Sequence, residues 1–500
     1  MSERNKIYLL IGIVLCLSLS ACTPKNANSE KAVAKRPNIV FIMADDLGWA
    51  DLPCYGNQFN EAPNIDLLCS QGMKFSNAYA AAPVCSPTRV SIQSGQYPAR
   101  LGINDFMIGH WRPYEKLTVP INRTQYLPQD ITTVAEALQT AGYATGYYGK
   151  WHLGWTDNMP DVHGYDDHRV HTRGKFYDLK KHNAIVPPDD SIDDDIRVSE
   201  LLTDYSLEFI EENKEKPFFL FLSHYDVHVQ LDADKDLIEK YLAKERWGDY
   251  PSNAIYAAMI EHIDRSVGRI MEKLKASGLE ENTIVMFFSD NGGLVSRFDQ
   301  IPLIVEEKQE MYKGSDLLYV ASSNAPLRAE KGTIYEGGIR EPLIVKWPDK
   351  IAANTTSEHV MTSVDLYPTF LELAQTEGDT SHLLDGKSFV PSLTDNKVDL
   401  DRPIYWHYPV YHHAEPAGAM RQGDWKLIEN FTDNSLELYD LKNDIWESNN
   451  LAAKNPAKAE AMQQALALWR SDINAMMPDV NPDFDESKRF TWGRHPDSGK

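Results

Sequence analysis

A chain of 500 residues with 73 acidic against 50 basic side chains carries a formal net charge of −23. That balance excludes a broad basic face of the kind that holds nucleic acid, so an anionic ligand has to be gripped by local cations or a metal. With 42% hydrophobic residues and no repeat or low-complexity block in the folded region, the composition is that of a large globular protein.

The first residues read as a targeting segment. Arg4 and Lys6 precede an apolar run from Ile7 to Leu19 that is too short to span a bilayer comfortably, so residues 1–21 form a signal peptide. Leu19-Ser20-Ala21-Cys22 looks like a bacterial lipobox, which would place a lipid on Cys22; plain signal cleavage near Ala21 is the alternative. Residues 22–35, polar and unpatterned, would then be a lipoprotein tether to the bacterial envelope, at the outer membrane or facing the periplasm.

Strand-length apolar runs follow at Ile39 to Met43, Ala144 to Tyr148, Phe218 to Leu222, Ile284 to Phe288 and Pro342 to Trp347, most of them separated by helical patterns. The alternation predicts an α/β fold, with a mostly parallel central sheet flanked by helices. The clearest helix spans about Asn253 to Ala276, its Met259, Ile260, Ile263, Val267 and Ile270 forming one stripe and Gly278 a stop. After residue 400 the pattern changes to antiparallel strand candidates at Ile404 to Tyr408, Trp425 to Glu429 and Leu436 to Tyr439, with a last helix over Pro456 to Met477. The expected division is a catalytic domain over 36–400 and a smaller α+β subdomain over 401–500.

Polar residues cluster just beyond three of these strands, where an open α/β sheet places ligands. Asp45 and Asp46 follow the first, Lys150 and His152 the second, and Asp290 and Asn291 the run ending at Phe288. Asp45, Asp46, Asp290 and the Asn291 carbonyl offer only oxygen, which suits a hard divalent cation, Ca²⁺ or Mg²⁺, rather than zinc. Adjacent Asp-Asp and Asp-Asn pairs also occur as turn residues that bond their own backbone.

Cys85-Ser86-Pro87-Thr88-Arg89 opens a predicted helix, with Pro87 in its first turn and Gly95 beyond its end. Residue 85 then sits at a helix N-terminus, where backbone donors favour an anion. Further blocks lie at Asn38 to Gly48, Gly149-Lys150-Trp151-His152-Leu153-Gly154, His228, Ser289 to Gly293 and Lys331 to Gly338. From about Pro37 to Leu451, these blocks in this order resemble the type I sulfatases of the alkaline phosphatase superfamily, among them bacterial carbohydrate sulfatases.

The resemblance implies that a formylglycine-generating maturation enzyme oxidises Cys85 to Cα-formylglycine, and it favours Ca²⁺ over Mg²⁺ at a site made by Asp45, Asp46, Asp290, Asn291 and position 85. It implies a sulfuric ester hydrolase in which the hydrated aldehyde attacks sulfur. His152 would be the base, His228 the acid on the leaving group, Lys150 and Lys331 the cations on sulfate, and Arg89 the residue that orients the hydrate. Two departures stand out: Ser94 replaces a common Thr, and the segment His224 to Gln230 lacks prolines often found after the histidine, leaving His224 as backup to His228.

Of five cysteines, Cys16 lies in the signal segment, and Cys54 and Cys69 are left either as a disulfide or as buried thiols. Lipid anchoring suits scavenging of a sulfated oligosaccharide or polysaccharide from algae or host tissue. Gly109 to Tyr114 resembles sulfatases acting on galactose-type sugars, and Trp111, Arg112, His168, His407, His412 and His413 are specificity candidates or ordinary loop residues. The rival readings are a phospho- or phosphonate-ester hydrolase of the same superfamily, expected to offer a Ser or Thr nucleophile with two zinc ions, and a non-catalytic glycan-binding lipoprotein.

Overall fold

A computed structural model describes residues 36–171, 185–189, 192, 196–297 and 299–497. The expected signal peptide, Cys22 and the expected tether lie outside the described residues. All five predicted apolar runs enter one sheet, which among the described residues has nine strands. In chain order they are β1 (Asn38–Ala44), β2 (Met73–Phe75), β3 (Ala144–Gly149), β4 (Asp167–His171), β5 (Ile185–Val186), β6 (Phe218–Ser223), β7 (Thr283–Ser289), β8 (Leu343–Lys346) and β9 (Thr355–Ser357). Their spatial order is β9-β2-β8-β7-β1-β6-β3-β4-β5. The run from β7 through β1, β6 and β3 to β4 is parallel, while β8 is antiparallel to both its neighbours and β5 to β4.

The central strands are covered on both faces, which is why they read as continuous apolar runs. Val40 and Ile42 of β1 point into a core with Ile260, Ile263 and Val267 of the helix Ala254–Ala276. Ile39, Phe41 and Met43 point the other way, toward Leu366 and Phe370 of the helix Leu366–Leu373. Asn253 starts the long helix as predicted, its side-chain oxygen accepting from Ile255 N at 3.0 Å and Tyr256 N at 3.2 Å.

A second, antiparallel sheet follows: β10 (Ile404–Tyr408), β11 (Ala417–Gln422), β12 (Trp425–Asn430) and β13 (Leu436–Asp440), hydrogen-bonded in that order. Strand β11 has no signal in the sequence, because Ala417, Gly418 and Ala419 have low strand propensity and are held by pairing on both sides. One face packs Trp406 and Ile428 against Tyr79, Val84 and Ile339 of the main body. The other carries Met420, Leu427 and Leu438 under the helix Pro456–Asp472, which ends five residues before the expected Met477. Cys54 and Cys69 are unbridged thiols, the first partly buried and the second buried.

Strand register is what assembles the site. Met43 pairs with Ser223, Ala44 with Ser289 and Gly149 with Ser223, so the residues that follow β1, β3, β6 and β7 emerge side by side. Gly149 has φ +116 and approaches so closely that a Cβ there would lie 1.8 Å from the Ser223 carbonyl oxygen, so only glycine lets Lys150 leave β3 at this point.

Candidate active site

Cys85 is the first residue of the helix Cys85–Ser94, all ten of whose residues are buried. Val84 precedes it in extended conformation and Gly95, at φ +67, closes the helix in the left-handed conformation. Ser94 donates within the helix to Val90 O at 2.7 Å, so its replacement of Thr is accommodated locally. Arg89 sits one turn after Cys85 and faces the same strand ends. Its guanidinium donates to Asp290 Oδ2 through Nε at 2.9 Å and Nη2 at 2.7 Å, to Lys150 O at 2.6 Å and to Ser223 Oγ at 2.7 Å.

Around the Cys85 Sγ the charges alternate. Asp45 Oδ1 lies at 3.5 Å and Asp46 Oδ1 at 4.0 Å, with Lys150 Nζ at 3.3 Å and Lys331 Nζ at 3.5 Å. Lys150 donates to Asp45 Oδ2 at 2.6 Å, and Lys331 to both oxygens of Asp46 at 2.7 and 2.8 Å. Burial raises the Asp46 carboxyl, but Lys331, then His228 and Lys150, outweigh it and hold the group well below the usual carboxylate range. Asp290 is pushed up by burial and by Asp45. Burial pushes the Cys85 thiol up to about 12 despite the two lysines, so the unmodified thiol stays protonated and is not poised as a thiolate nucleophile.

The two histidines differ in what they leave open. His152, at φ 57, bonds Met107 O through Nε2 at 2.7 Å; a carbonyl only accepts, so Nε2 carries the proton and the buried Nδ1 holds a lone pair with no hydrogen-bond partner. Burial, then Lys150 and Arg89, keep this ring well below the ordinary histidine pKa and therefore neutral. His228 donates from Nδ1 to Val229 O at 2.5 Å and turns Nε2 toward Asp46 Oδ2 at 3.7 Å. Burial and then Lys331 lower it to about 3. His224 is fully buried, bonds Met43 O through its backbone N–H and lines neither of the cavities below.

The donor set fits a hard divalent cation. Asn291 Nδ2 donates to Asp46 Oδ1 at 2.8 Å and to Gly292 O at 3.0 Å, which fixes the amide and leaves Oδ1 buried with no donor to accept from. An orphaned carbonyl beside paired carboxylates is what a cation with oxygen ligands would satisfy. Ligand atoms of Asp45, Asp46, Cys85 and His228 lie within 4.8 Å of one another, so the carboxylates and position 85 stand close enough to share one ion with the His228 ring beside them. Asp290 enters through other bonds as well, its Oδ1 accepting from Asp46 N at 3.2 Å and its Oδ2 from Arg89.

Two cavities open on this cluster and share Phe106, His152 and His228 as the ridge between them. The first, about 200 Å³, also reaches Cys85, Lys331, Arg297, His412 and His413; the second, about 370 Å³, reaches Lys150, Trp155 and His171. Of the specificity candidates, His412 and His413 line the first cavity, and Arg112 supports it by donating to His412 O at 2.9 Å. Trp111 borders a smaller neighbouring hollow. His407 is corrected to a structural residue: it is buried on β10, its Nε2 bonded to Met476 O at 2.8 Å. His168 lines neither cavity; β4 supplies Val170 and His171 instead. Phe106, Trp155, His171 and Arg297 had no sequence signal of their own beyond lying in loops or at strand ends, while His110 lies in the Gly109 to Tyr114 segment and lines the first cavity.

Comparison with known proteins places this geometry. The Sulfatase family profile matches residues 37–376, and that of the N-sulphoglucosamine sulphohydrolase C-terminal region matches 329–471. A protein described as a sulfatase from Formosa agariphila is 30% identical over 95% of this chain and 95% of its own length. The N-acetylgalactosamine-6-sulfatase of Rattus norvegicus is 32% identical over 78% of this chain and 71% of its own. Among solved structures, that of Ps i-CgsB superposes with a TM-score of 0.73 at 27% identity, covering 90% of this chain and 95% of that one.

Added Ca²⁺ should raise the melting temperature of the wild-type protein, by the equivalent of about 2.7 kcal/mol at a hundredfold excess over Kd. Asp46→Asn should remove most of that increment and Asn291→Ala part of it. Calorimetric scans in which wild type and Asp46→Asn respond alike would place the ion elsewhere.

Proposed function

Because the chain belongs to the sulfatase family of sulfuric ester hydrolases, we propose that it releases sulfate from a sulfated carbohydrate through Cys85, oxidised to Cα-formylglycine by a maturation enzyme, beside a bound Ca²⁺. The observation that carries this reading is the placement of Cys85 Sγ within 3.5 Å of both Lys150 and Lys331, at a helix N-terminus and beside the buried Asp45 and Asp46 carboxylates. The hydrated aldehyde would supply two hydroxyls on one carbon, so that sulfur is attacked and sulfate later expelled without water reaching sulfur, and the cation would polarise a sulfate oxygen.

The chain's own side chains would do the rest. Lys150 and Lys331 converge on the space beside position 85 and would bind sulfate oxygens as charge shifts onto them. Arg89 pins Asp290 and the Lys150 carbonyl, which fixes the strand ends against each other. His152, neutral and with Nδ1 open, would accept the proton released when the aldehyde re-forms. His228 would donate from Nε2 to the leaving sugar oxygen. It must first take up a proton there, which an anionic substrate favours by opposing the field of Lys331.

A galactose-type sugar is the proposed substrate class. It is supported by the likeness to an N-acetylgalactosamine-6-sulfatase and by the structure of Ps i-CgsB in complex with k-i-k-neocarrahexaose, 26% identical with a TM-score of 0.72. We place the enzyme on the bacterial envelope through lipidated Cys22.

Cys85→Ala should abolish sulfate release from a 6-sulfated galactose while leaving the circular dichroism and melting transition near wild type, since it removes the nucleophile but little packed volume. Turnover retained by the purified variant would refute the formylglycine reading. A sugar alkoxide needs a proton as the S–O bond breaks and an activated aryl oxide does not, and general acid catalysis typically contributes about 10²–10⁴-fold. His228→Ala should therefore slow hydrolysis of the sugar sulfate far more than that of an activated aryl sulfate, and equal losses on both would move the acid role to another group. Cys22→Ser should shift activity from the membrane pellet to the soluble fraction, and unchanged partitioning would argue for a different anchor.

A further inference from the structure

Resting on the sulfatase reading above, we infer that the second cavity is a subsite for a neighbouring sugar that carries its own anionic group, recognised by Arg494 and His171. The cavity shares Phe106, His152 and His228 with the one that Cys85 lines, and it reaches Lys150, whose Nζ lies 3.3 Å from Cys85 Sγ. A substrate reacting at position 85 can thus place its next ring there. Among the described residues lining it there is no aspartate or glutamate, although the chain carries 73 of them against 50 lysines and arginines. Its charge comes from Lys150 and Arg494, with the rings of His152, His171 and His228 alongside. Two cations and three imidazoles, with no carboxylate among the described lining residues, suit an anion better than a neutral sugar alone.

Arg494 comes from the far end of the chain and is held in place by its neighbours. Gly493 and Trp111 exchange two backbone hydrogen bonds, Gly493 N to Trp111 O at 2.9 Å and Trp111 N to Gly493 O at 3.0 Å. The Trp492 ring lies edge-on to His110 at 5.4 Å and the His495 ring to Trp111 at 5.1 Å. Further back, Arg489 pairs with the buried Glu115 at 3.2 Å, and Asn481 Nδ2 donates to Pro113 O and Glu115 O at 2.8 and 2.7 Å. The terminal segment is thereby strapped onto residues 111–118. No ion pair or hydrogen bond engages the Arg494 guanidinium among the described residues, so it is available to a ligand in the cavity.

A second, independent observation points the same way. His171 is 4% exposed and lines the cavity with neither ring nitrogen hydrogen-bonded. A buried imidazole left in that state is offered to a polar ligand. Trp155, 44% exposed on the same wall, adds an aromatic face on which a pyranose ring can stack. A planar guanidinium recognises a carboxylate or sulfate by paired charge-assisted hydrogen bonds, which is the chemistry that separates an anionic from a neutral second sugar.

The test is binding of two disaccharides to the Ca²⁺-loaded Cys85→Ala protein, which holds substrate without turnover. One probe is 6-sulfated galactose linked to a uronic acid, the other the same disaccharide with a neutral hexose in place of the uronic acid. Calorimetry should show the uronic acid compound binding about ten- to a hundredfold more tightly, and Arg494→Gln should erase most of that difference while Arg494→Lys keeps part of it. Equal affinity for the two probes, or an equal loss on both in Arg494→Gln, would overturn the subsite. A wild-type enzyme that releases sulfate from no sugar would refute the reaction proposed above and leave this comparison to be decided by the binding data, which need no turnover.

Discussion

Burying Asp45, Asp46 and Asp290 side by side costs several kcal/mol per ion unless opposite charge stands at contact distance. Lys150, Lys331 and Arg89 supply it, each bonded to one of the three at 2.6 to 2.7 Å. Formal charge within the cluster therefore cancels, and a bound divalent cation leaves a net positive hollow beside position 85. That surplus, and not the overall charge of −23, is what can draw a sulfate ester into this protein. The alternating arrangement also makes its members interdependent: remove one and its partner becomes an uncompensated buried charge.

The sheet exists in the form needed to hold that cluster. Parallel strands covered on both faces bring their carboxyl ends to one edge in register, and the turns that follow β1, β3 and β7 carry the charged residues. The helix Cys85–Ser94 then presents Cys85 and Arg89 from a separate direction. Distant parts of the chain thus converge on one sulfur atom, while Gly149 and Asp46, both at positive φ, let the backbone turn where the contacts demand it.

Much of this was legible in the order of residues. Strands buried on both faces leave apolar runs, so β1, β3, β6, β7 and β8 could be read directly, and polar pairs just beyond such runs mark the ligand-binding edge. The helix Ala254–Ala276 was clear because its stripe is long and capped by Asn253. Less was legible where pairing overrides propensity, as in β11, whose Ala417, Gly418 and Ala419 form a strand only because neighbours on both sides claim their backbone. The walls of the cavities were the least legible. Their residues come from loops, from β4 and from the terminal segment around Arg494, and no periodicity links them. His407 failed as a specificity candidate for a related reason: a histidine beside aromatic residues looks the same in sequence whether its ring meets a sugar or, as here, the Met476 carbonyl.

The central claim is that position 85 works as an aldehyde and not as a thiol, and the mass of the peptide containing residue 85 tests it most directly. In protein purified from cells that carry the maturation enzyme, that peptide should be lighter than its sequence requires by the difference between cysteine and formylglycine, and the lighter fraction should track specific activity from one preparation to the next. A fully active preparation in which the peptide retains an intact cysteine would contradict the account.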